Sequence, residues 1–214
     1  MRRRCASHDR RQTAFAAKRG DSRGARTAAW PSRLRRCGAG RIDAPAYLDL
    51  LARLYGFHQL FEAEFVKAPP VLADAINLAN RRRSELIAGD LGALGIAGGV
   101  ADLSLCPTLP RCLTEPQWLG ALYVTEGPTL GGAQIARALA RAGFAREQRQ
   151  FCEAYGERRG WMWRTFLDRL EAHADDSEAA VQAENSAQTT FDVFEAWMLN
   201  WQGAADFTLS STAV

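Results

Sequence analysis

A run of helix-breaking residues, Leu122–Gly132 (LYVTEGPTLGG), lies inside an otherwise apolar-periodic helix predicted from Glu115 to about Ala142. Three glycines and one proline fall within six residues of this run. In a helix interior each glycine costs about 1 kcal/mol relative to alanine, and a proline costs about 3 kcal/mol. Pro128 has no N–H to donate to the carbonyl of Val124, and its ring crowds that carbonyl. The sequence therefore predicts a kink at Pro128.

Tyr123, Gly127 and Gly131 are spaced four residues apart, so a helical path places them on one face. The two glycines leave a strip without side chains, along which a flat molecule approaches the backbone closely. The strip is not a phosphate-binding loop, because no strand precedes it and the Lys and Ser/Thr of such a loop are missing. Close packing of another helix, or a turn between two helices, would also explain the glycines. A flat apolar ligand is the favoured interpretation.

Helical periodicity also begins at Asp43, a good N-cap that is followed by Pro45 in the first turn. Five apolar residues then follow helical spacing along one face: Tyr47, Leu51, Leu54, Phe61 and Phe65. A second helix enters from Pro69 and Pro70, and a shorter third one ends at Gly95, with Arg81–Arg83 expected on a solvated face.

A loop is predicted from Gly98 to Pro110, and two long amphipathic helices are predicted over residues 146–173 and 177–202. No segment alternates β-branched and polar residues, and no internal repeat of 20–50 residues is visible. The sequence therefore predicts an all-α protein.

Basic charge is concentrated at the start of the chain. The first 40 residues hold 12 of the 27 Lys and Arg but only Asp9 and Asp21 of the 24 acidic residues, so the remainder is net negative. This segment has no sustained periodicity and is predicted to be disordered, apart from a short helical turn near residues 13–18. The sequence thus divides into a basic segment (1–40), a helical domain (41–203) and a flexible tail (204–214).

The five cysteines are odd in number and contain no C-x-x-C pair, which indicates reduced thiols in a cytoplasmic protein. No apolar run approaches the roughly 18 residues of a membrane span, and no secretory signal pattern opens the chain. We therefore expect no membrane partner.

The segment GALYVTEGPTLGGAQIARAL resembles the distal helix of bacterial heme oxygenases, particularly the type associated with bacteriophytochromes, which typically reads Y-V-x-E-G-S-T-L-G-G. Further matches follow in the order and spacing of that family: AYLDLLARLYGFHQLFEAEF, RRRSELIAGDLGALG, YGERRGWMWRTF and AQTTFDVFEAWM. The resemblance extends from about Ile42 to Trp201.

The resemblance implies a single-domain, all-α helical bundle in which heme lies between a proximal helix and a glycine-kinked distal helix. Heme would be both substrate and cofactor, and O₂ with electrons from an external reductase or ferredoxin would open it to biliverdin, iron and carbon monoxide. A bacteriophytochrome that receives the biliverdin is the implied downstream partner.

Carried over residue by residue, the resemblance gives Gly127, Gly131 and Gly132 the catalytic distal face, with Tyr123 at the edge of the heme pocket. Arg158 and Arg159 are the candidates for binding the heme propionates, since a guanidinium pairs well with a carboxylate.

Two departures from the family pattern bear on this chemistry. Pro128 replaces the serine that is usual in this subfamily, which removes a polar group from the distal water network. The proximal histidine is expected near Thr27, where none is present, and the chain has only His8, His58 and His173. No residue inherits the ligand role by position: His58 and His173 fit structural positions better, and His8, which is left as a candidate, has neither the expected spacing nor a predicted helix around it.

The missing histidine leaves alternatives open. One hypothesis is that residues 1–40 are a frame-shifted reading, which resequencing of the locus would test. Another is a heme- or tetrapyrrole-binding protein of the same fold that lacks the proximal ligand. A basic arm also suits nucleic acid, but Phe15 and Trp30 are its only aromatic residues, which disfavours that partner. The leading interpretation is a heme oxygenase.

Overall fold

The computed structural model describes residues 36–96 and 98–199. Over these ranges the chain is all-α, as predicted, without a strand. Its helices are α1 (Ala44–Ala63), α2 (Pro70–Ala75), α3 (Ser84–Ala93), α4 (Glu115–Glu126), α5 (Gly132–Arg141), α6 (Arg159–Glu171) and α7 (Ser177–Leu199). Short 3-10 turns connect several of them: Glu64–Lys67, Leu78–Arg81, Gly127–Gly131, Arg146–Gln148, Gln150–Glu153 and Gly156–Arg158.

Most of the predicted basic segment, residues 1–35, lies outside the described residues, as does the tail from residue 200 onward. The expectations for His8 and Thr27 therefore remain predictions. The same holds for the boundaries 1–40, 41–203 and 204–214.

Helix α1 is the central element of the core. It begins as predicted, with the Asp43 carboxylate accepting the Ala46 N–H at 2.9 Å and Pro45 in the first turn. Every residue from 47 to 58 is buried, so this helix is enclosed on all sides rather than on one face. Its N-terminal half packs in one apolar cluster with α3 and α5, and its C-terminal half packs in a second cluster with α2, α4 and α6.

The prediction that the third helix is shorter than the second is wrong. Helix α2 has only 6 residues and α3 has 10. Asn77, with φ of 56°, takes the left-handed conformation directly after α2 and ends the helical path early. A 3-10 turn then leads toward α3.

The expectation that Arg81–Arg83 forms a solvated face is also wrong. Arg81 and Arg83 are each only 2% exposed, and Arg82 alone faces solvent. The backbone N–H groups of Arg83 and Ser84 donate to the buried carboxylate of Glu62 in α1, at 2.5 and 3.1 Å. Glu62 thereby caps the N-terminus of α3, where free N–H groups favour an anion.

Burial by itself raises the pKa of Glu62, but hydrogen bonds and charge from His58, with hydrogen bonds from Ser84 and Arg83, bring its pKa below the usual value. The Ser84 hydroxyl donates to Glu62 and not to His58. Glu62, with Ser84 as a donor and His58 beside it, thus forms a buried cap at the start of α3.

The long helix predicted over residues 146–173 is wrong in its first half. Three 3-10 turns occupy most of residues 146–158, and α6 begins only at Arg159. The N–H groups of Gln150 and Phe151 donate to Asp90 of α3 instead of to helical carbonyls. Tyr155 and Gly156 then take positive φ values of 69° and 51°, which a right-handed helix does not allow.

Two other predicted elements, the loop from Gly98 to Pro110 and the last helix, are confirmed. No helix is present from Gly98 to Pro110, and α7 spans Ser177–Leu199. The four described cysteines (Cys37, Cys106, Cys112, Cys152) form no disulfide. None of the described helices combines the length and apolar character that crossing a membrane requires.

Helix α4 packs most closely on α7, and Gly120 is the point of nearest approach. A Cβ at Gly120 would collide with the backbone carbonyl of Ala183. Nearby, the Ser186 hydroxyl donates to the Gln117 carbonyl at 2.7 Å and joins the same two helices.

We expect Gly120→Ala to lower the free energy of unfolding by about 1–3 kcal/mol, because the added methyl group forces the α4 and α7 backbones apart. The matched control is Gly92→Ala in α3, where a Cβ meets nothing within 4 Å. That change is expected to raise stability by about 0.5–1 kcal/mol. Urea denaturation measures both, and equal effects of the two changes would contradict the assignment.

Candidate functional site

The glycine-rich run forms a turn between two helices. Helix α4 ends at Glu126, a 3-10 turn spans Gly127–Gly131, and α5 starts at Gly132. The single helix predicted from Glu115 to about Ala142 is thus interrupted at Pro128, which fits the alternative of a turn between two helices. The Thr129 hydroxyl donates to the Glu126 carbonyl at 2.6 Å, which partly compensates for the loss of regular helical bonds.

Gly127 and Gly131 border open space. A Cβ on either residue would meet no atom of the described residues within 4 Å. Their φ values, −54° and −84°, are open to any residue, so neither position needs the conformational freedom of glycine. Nothing in the described chain explains why these two side chains are missing.

Gly132 is placed differently. It is buried, and a Cβ there would collide with the backbone carbonyl of Cys152. Its small size lets the start of α5 pack on the 3-10 turn at residues 150–153. The geometry thus gives Gly132 a packing role, whereas Gly127 and Gly131 leave a surface open.

Tyr123 lies one turn before the kink and is partly buried. Its ring centroid is 5.9 Å from that of Trp163 and 6.3 Å from that of Phe166, both on α6. These contacts join α4 to α6 directly before the glycine turn.

A buried ion cluster lies at the end of α4. The Glu126 carboxylate, 1% exposed, accepts hydrogen bonds from Arg81 Nη1 at 2.5 Å and Arg83 Nη2 at 3.1 Å. The Tyr155 hydroxyl donates to the same carboxylate at 2.8 Å. Sequence reasoning missed this cluster, and the one signal for it was a glutamate at the end of the apolar stretch 118–124.

Arg81 and Tyr155 hold fixed orientations in this cluster. Arg81 also donates through Nε to the Ile76 carbonyl and through Nη2 to the Met162 carbonyl, at 2.7 and 2.9 Å. The Arg83 guanidinium lies 4.1 Å from the centroid of the Tyr155 ring. Burial, and then the charge of Glu126, raise the pKa of Tyr155, so this phenol remains protonated and donates its hydrogen bond.

Of the two predicted propionate ligands, Arg159 is the first residue of α6, the helix that packs against the glycine turn, and Arg158 directly precedes it. Arg158 is exposed and closes the Gly156–Arg158 turn, whereas Arg159 is half-buried and starts α6. The Nε of Arg159 is buried without a hydrogen-bond partner among the described residues. Of the two, Arg159 alone belongs to α6, the helix that contacts the turn.

The two described histidines both have protein partners. His58 is buried, with Nδ1 3.6 Å from Glu62 and its ring 5.6 Å from that of Phe151. His173 Nε2 lies 2.8 Å from Glu115 Oε1. Within residues 36–96 and 98–199, no group of three or more His, Cys, Asp or Glu side chains is arranged to hold a metal ion.

Asp90 supports the segment beneath the turn. It is fully buried and accepts the N–H groups of Gln150 and Phe151 at 2.7 and 3.0 Å. Burial raises the pKa of Asp90 to about 6, in spite of these two hydrogen bonds. The residues that it anchors lead directly to the Cys152 carbonyl under Gly132.

Comparison with known proteins agrees with this architecture. The family model for heme oxygenase matches residues 32–200. A heme oxygenase of Xanthomonas campestris pv. campestris (strain 8004) is 32% identical over 159 residues, which cover 73% of this chain and 91% of that protein. No solved structure matches the chain.

Asp90 generates a pH-dependent prediction. Its pKa is about 6 in the folded protein and 3.8 as the reference value, so the folded state binds the proton more tightly. The resulting stability is present below about pH 4 and is lost as the pH rises to about 6. Asp90→Asn does not titrate there, so the stability of wild type relative to this variant should fall by at most about 3 kcal/mol over that range.

Urea denaturation between about pH 3.5 and 6.5 measures this difference. Asp168→Asn, at an exposed position on α6, is the control for the same substitution outside the core. A constant difference between wild type and Asp90→Asn would contradict the expectation.

Proposed function

The chain belongs to the heme oxygenase family, and we propose that its heme lies against the open face of the Gly127–Gly131 turn. The family activity is the oxidative cleavage of heme to biliverdin, iron and carbon monoxide, with O₂ and an external electron donor. Heme is both the substrate and the cofactor, and when bound it supplies the iron at which O₂ is reduced.

The observation that carries this placement is the pair of glycines beside open space. Neither needs glycine for its backbone conformation, and neither has a neighbour that a side chain would strike. A flat macrocycle lying on this face explains why both positions lack a side chain, because a Cβ on the turn would hold the macrocycle away from the backbone. Gly132 supports the face from behind through its contact with Cys152.

The hydroxyl groups nearest the turn are already engaged. Thr125 donates to the Leu122 carbonyl at 3.0 Å, and Thr129 donates to the Glu126 carbonyl at 2.6 Å. Pro128 adds neither a hydroxyl nor an N–H. We infer that ordered water on this side is organised by hydroxyl oxygens that accept hydrogen bonds and by backbone groups, in place of the serine that is usual in the subfamily.

Arg159 is the proposed partner of a heme propionate. It lies at the N-terminus of α6, where the helix dipole also favours an anion, and its Nε lacks a protein acceptor among the described residues. Arg158, which is exposed beside it, is the proposed second contact. Tyr123 is assigned the pocket edge, one turn before Gly127.

The axial iron ligand is assigned to the part of the chain outside the described residues. His58 and His173 are held by Glu62 and Glu115, so His8 is the histidine proposed for this role. We further infer a cytoplasmic location, given that the four described cysteines are free thiols. Electron delivery by a reductase or ferredoxin and transfer of biliverdin to a bacteriophytochrome complete the proposal.

Gly131→Leu tests the placement of heme. The leucine side chain would fill the open face, so we expect hemin affinity to fall about tenfold or more. Titration of the purified protein with hemin, followed by the Soret band, measures the dissociation constant. Gly92→Leu is the matched control, since it makes the same change at an open, exposed helical glycine. Wild-type affinity in a folded Gly131→Leu protein would refute the placement.

Arg159→Gln tests the propionate contact. Loss of a charge-assisted hydrogen bond is expected to weaken hemin binding by about tenfold. The control is Arg164→Gln, which removes an exposed arginine from the same helix. Hemin dimethyl ester, which lacks the propionate charges, should bind wild type and Arg159→Gln equally. An unchanged affinity of Arg159→Gln for ordinary hemin would contradict the assignment.

A further inference from the structure

The Gly127–Gly131 turn has few means of its own to hold its position. None of its five residues is buried, so apart from the contact with α6 the turn has little packing of its own. Pro128 donates no backbone hydrogen bond, and the glycines contribute no side-chain contacts. A fixed position of the turn must therefore come from the residues on either side.

On the N-terminal side, the anchor is the carboxylate of Glu126. Arg81 and Arg83, from the segment between α2 and α3, donate to it at 2.5 and 3.1 Å. Tyr155, from the segment between α5 and α6, donates at 2.8 Å to one oxygen and at 3.0 Å to the other. Donors from two separate segments hold the carboxylate from more than one direction.

The donors are themselves rigid. Arg81 is pinned by the Ile76 carbonyl and, through Nη2, by the Met162 carbonyl and the Thr165 hydroxyl, at 2.9 and 3.3 Å. The Arg83 side chain is buried, with its guanidinium 4.1 Å from the centroid of the Tyr155 ring, and its backbone N–H donates to Glu62. Because these arginines cannot reorient freely, they fix the carboxylate one residue before the turn.

On the C-terminal side, Gly132 rests on the Cys152 carbonyl. Cys152 and Tyr155 belong to the same segment, which Asp90 holds through the N–H groups of residues 150 and 151. The turn is thus held at both ends, by the Glu126 cluster before it and by the contact of Gly132 with Cys152 after it. We call these two sets of contacts the clamp. The segment that contains Cys152 and Tyr155 contributes to both.

We propose that Glu126 is a positioning residue for heme cleavage: held by Arg81, Arg83 and Tyr155, it sets the distance between the glycine turn and the macrocycle. It acts through the turn and needs no direct contact with heme. The proposal rests on the placement of heme proposed above.

Two variants and one control test it. Glu126→Gln keeps the size of the side chain but removes its charge, and Tyr155→Phe removes a single hydrogen bond with little change in shape. Glu115→Gln is the matched control on the same helix. Glu115 is bound by Arg169 and His173 at the opposite end of α4, so this change also breaks ion pairs without touching the turn.

The first readout is amide hydrogen exchange of the heme-free protein. We expect exchange at residues 127–132 to be about tenfold faster in Glu126→Gln and about threefold faster in Tyr155→Phe, because the clamp opens locally. Glu115→Gln should match wild type at these residues. This measurement does not depend on heme.

The second readout separates binding from turnover. In Glu126→Gln, the rate of biliverdin formation per bound heme should fall about tenfold or more, while the hemin dissociation constant stays within about threefold of wild type. Tyr155→Phe should also lower the rate per bound heme while leaving the dissociation constant nearly unchanged, but by a smaller factor. Glu115→Gln should change neither quantity.

The proposal is overturned if exchange at residues 127–132 in both variants equals that of the control, or if exchange rises while the rate per bound heme is unchanged. If Glu126→Gln does not fold, Tyr155→Phe decides by the same criteria. Failure of the heme placement itself is recognised separately, by wild-type hemin affinity in Gly131→Leu, whereas the heme-free exchange still reports the clamp.

Discussion

The burial of one carboxylate, that of Glu126, constrains the arrangement of the elements around the Gly127–Gly131 turn. Removing a carboxylate and two guanidinium groups from water costs several kcal/mol per ion, and only complete hydrogen bonding offsets that cost. The structure meets this requirement at Glu126 by collecting donors from Arg81, Arg83 and Tyr155. The cluster therefore contributes more to geometry than to net stability, because a small displacement of any member leaves a buried charge unpaired.

Sequence reasoning succeeded where the interacting groups are close in the sequence and failed where they are distant, as in the Glu126 cluster. Local signals sufficed for the start of α1 at Asp43 and Pro45, and for the interruption of the α-helix at Pro128, since the capping side chain and the missing N–H act within a few residues. The burial of Arg81 and Arg83 depends on Glu126, which lies more than 40 residues away in the sequence. A basic run with a distant acidic partner has the same local pattern as a solvated one.

The glycines show a similar limit. In the sequence, the glycines of the distal run look alike, and the resemblance to the family assigned Gly127, Gly131 and Gly132 to one face. The structure separates them by what a Cβ would meet: open space at Gly127 and Gly131, and the Cys152 carbonyl at Gly132. Gly120, outside the run, is required by the approach of α7. Only the tertiary neighbours distinguish a glycine that leaves room for a ligand from one that lets two backbones touch.

Three buried carboxylates, those of Glu62, Asp90 and Glu126, connect the core to the turn through two chains of contacts that meet at Glu126. Glu62 of α1 binds the N–H of Arg83, whose side chain binds Glu126 before the turn. Asp90 of α3 binds the segment whose Cys152 carbonyl supports Gly132 after the turn and whose Tyr155 returns to Glu126. Because both ends of the turn trace back to α1, which is enclosed in the core, and to α3, which packs on α1, the position of the turn follows that of these two helices. A surface without side chains at Gly127 and Gly131 can thus remain open and still be held in place, as a pocket for a flat, rigid ligand requires.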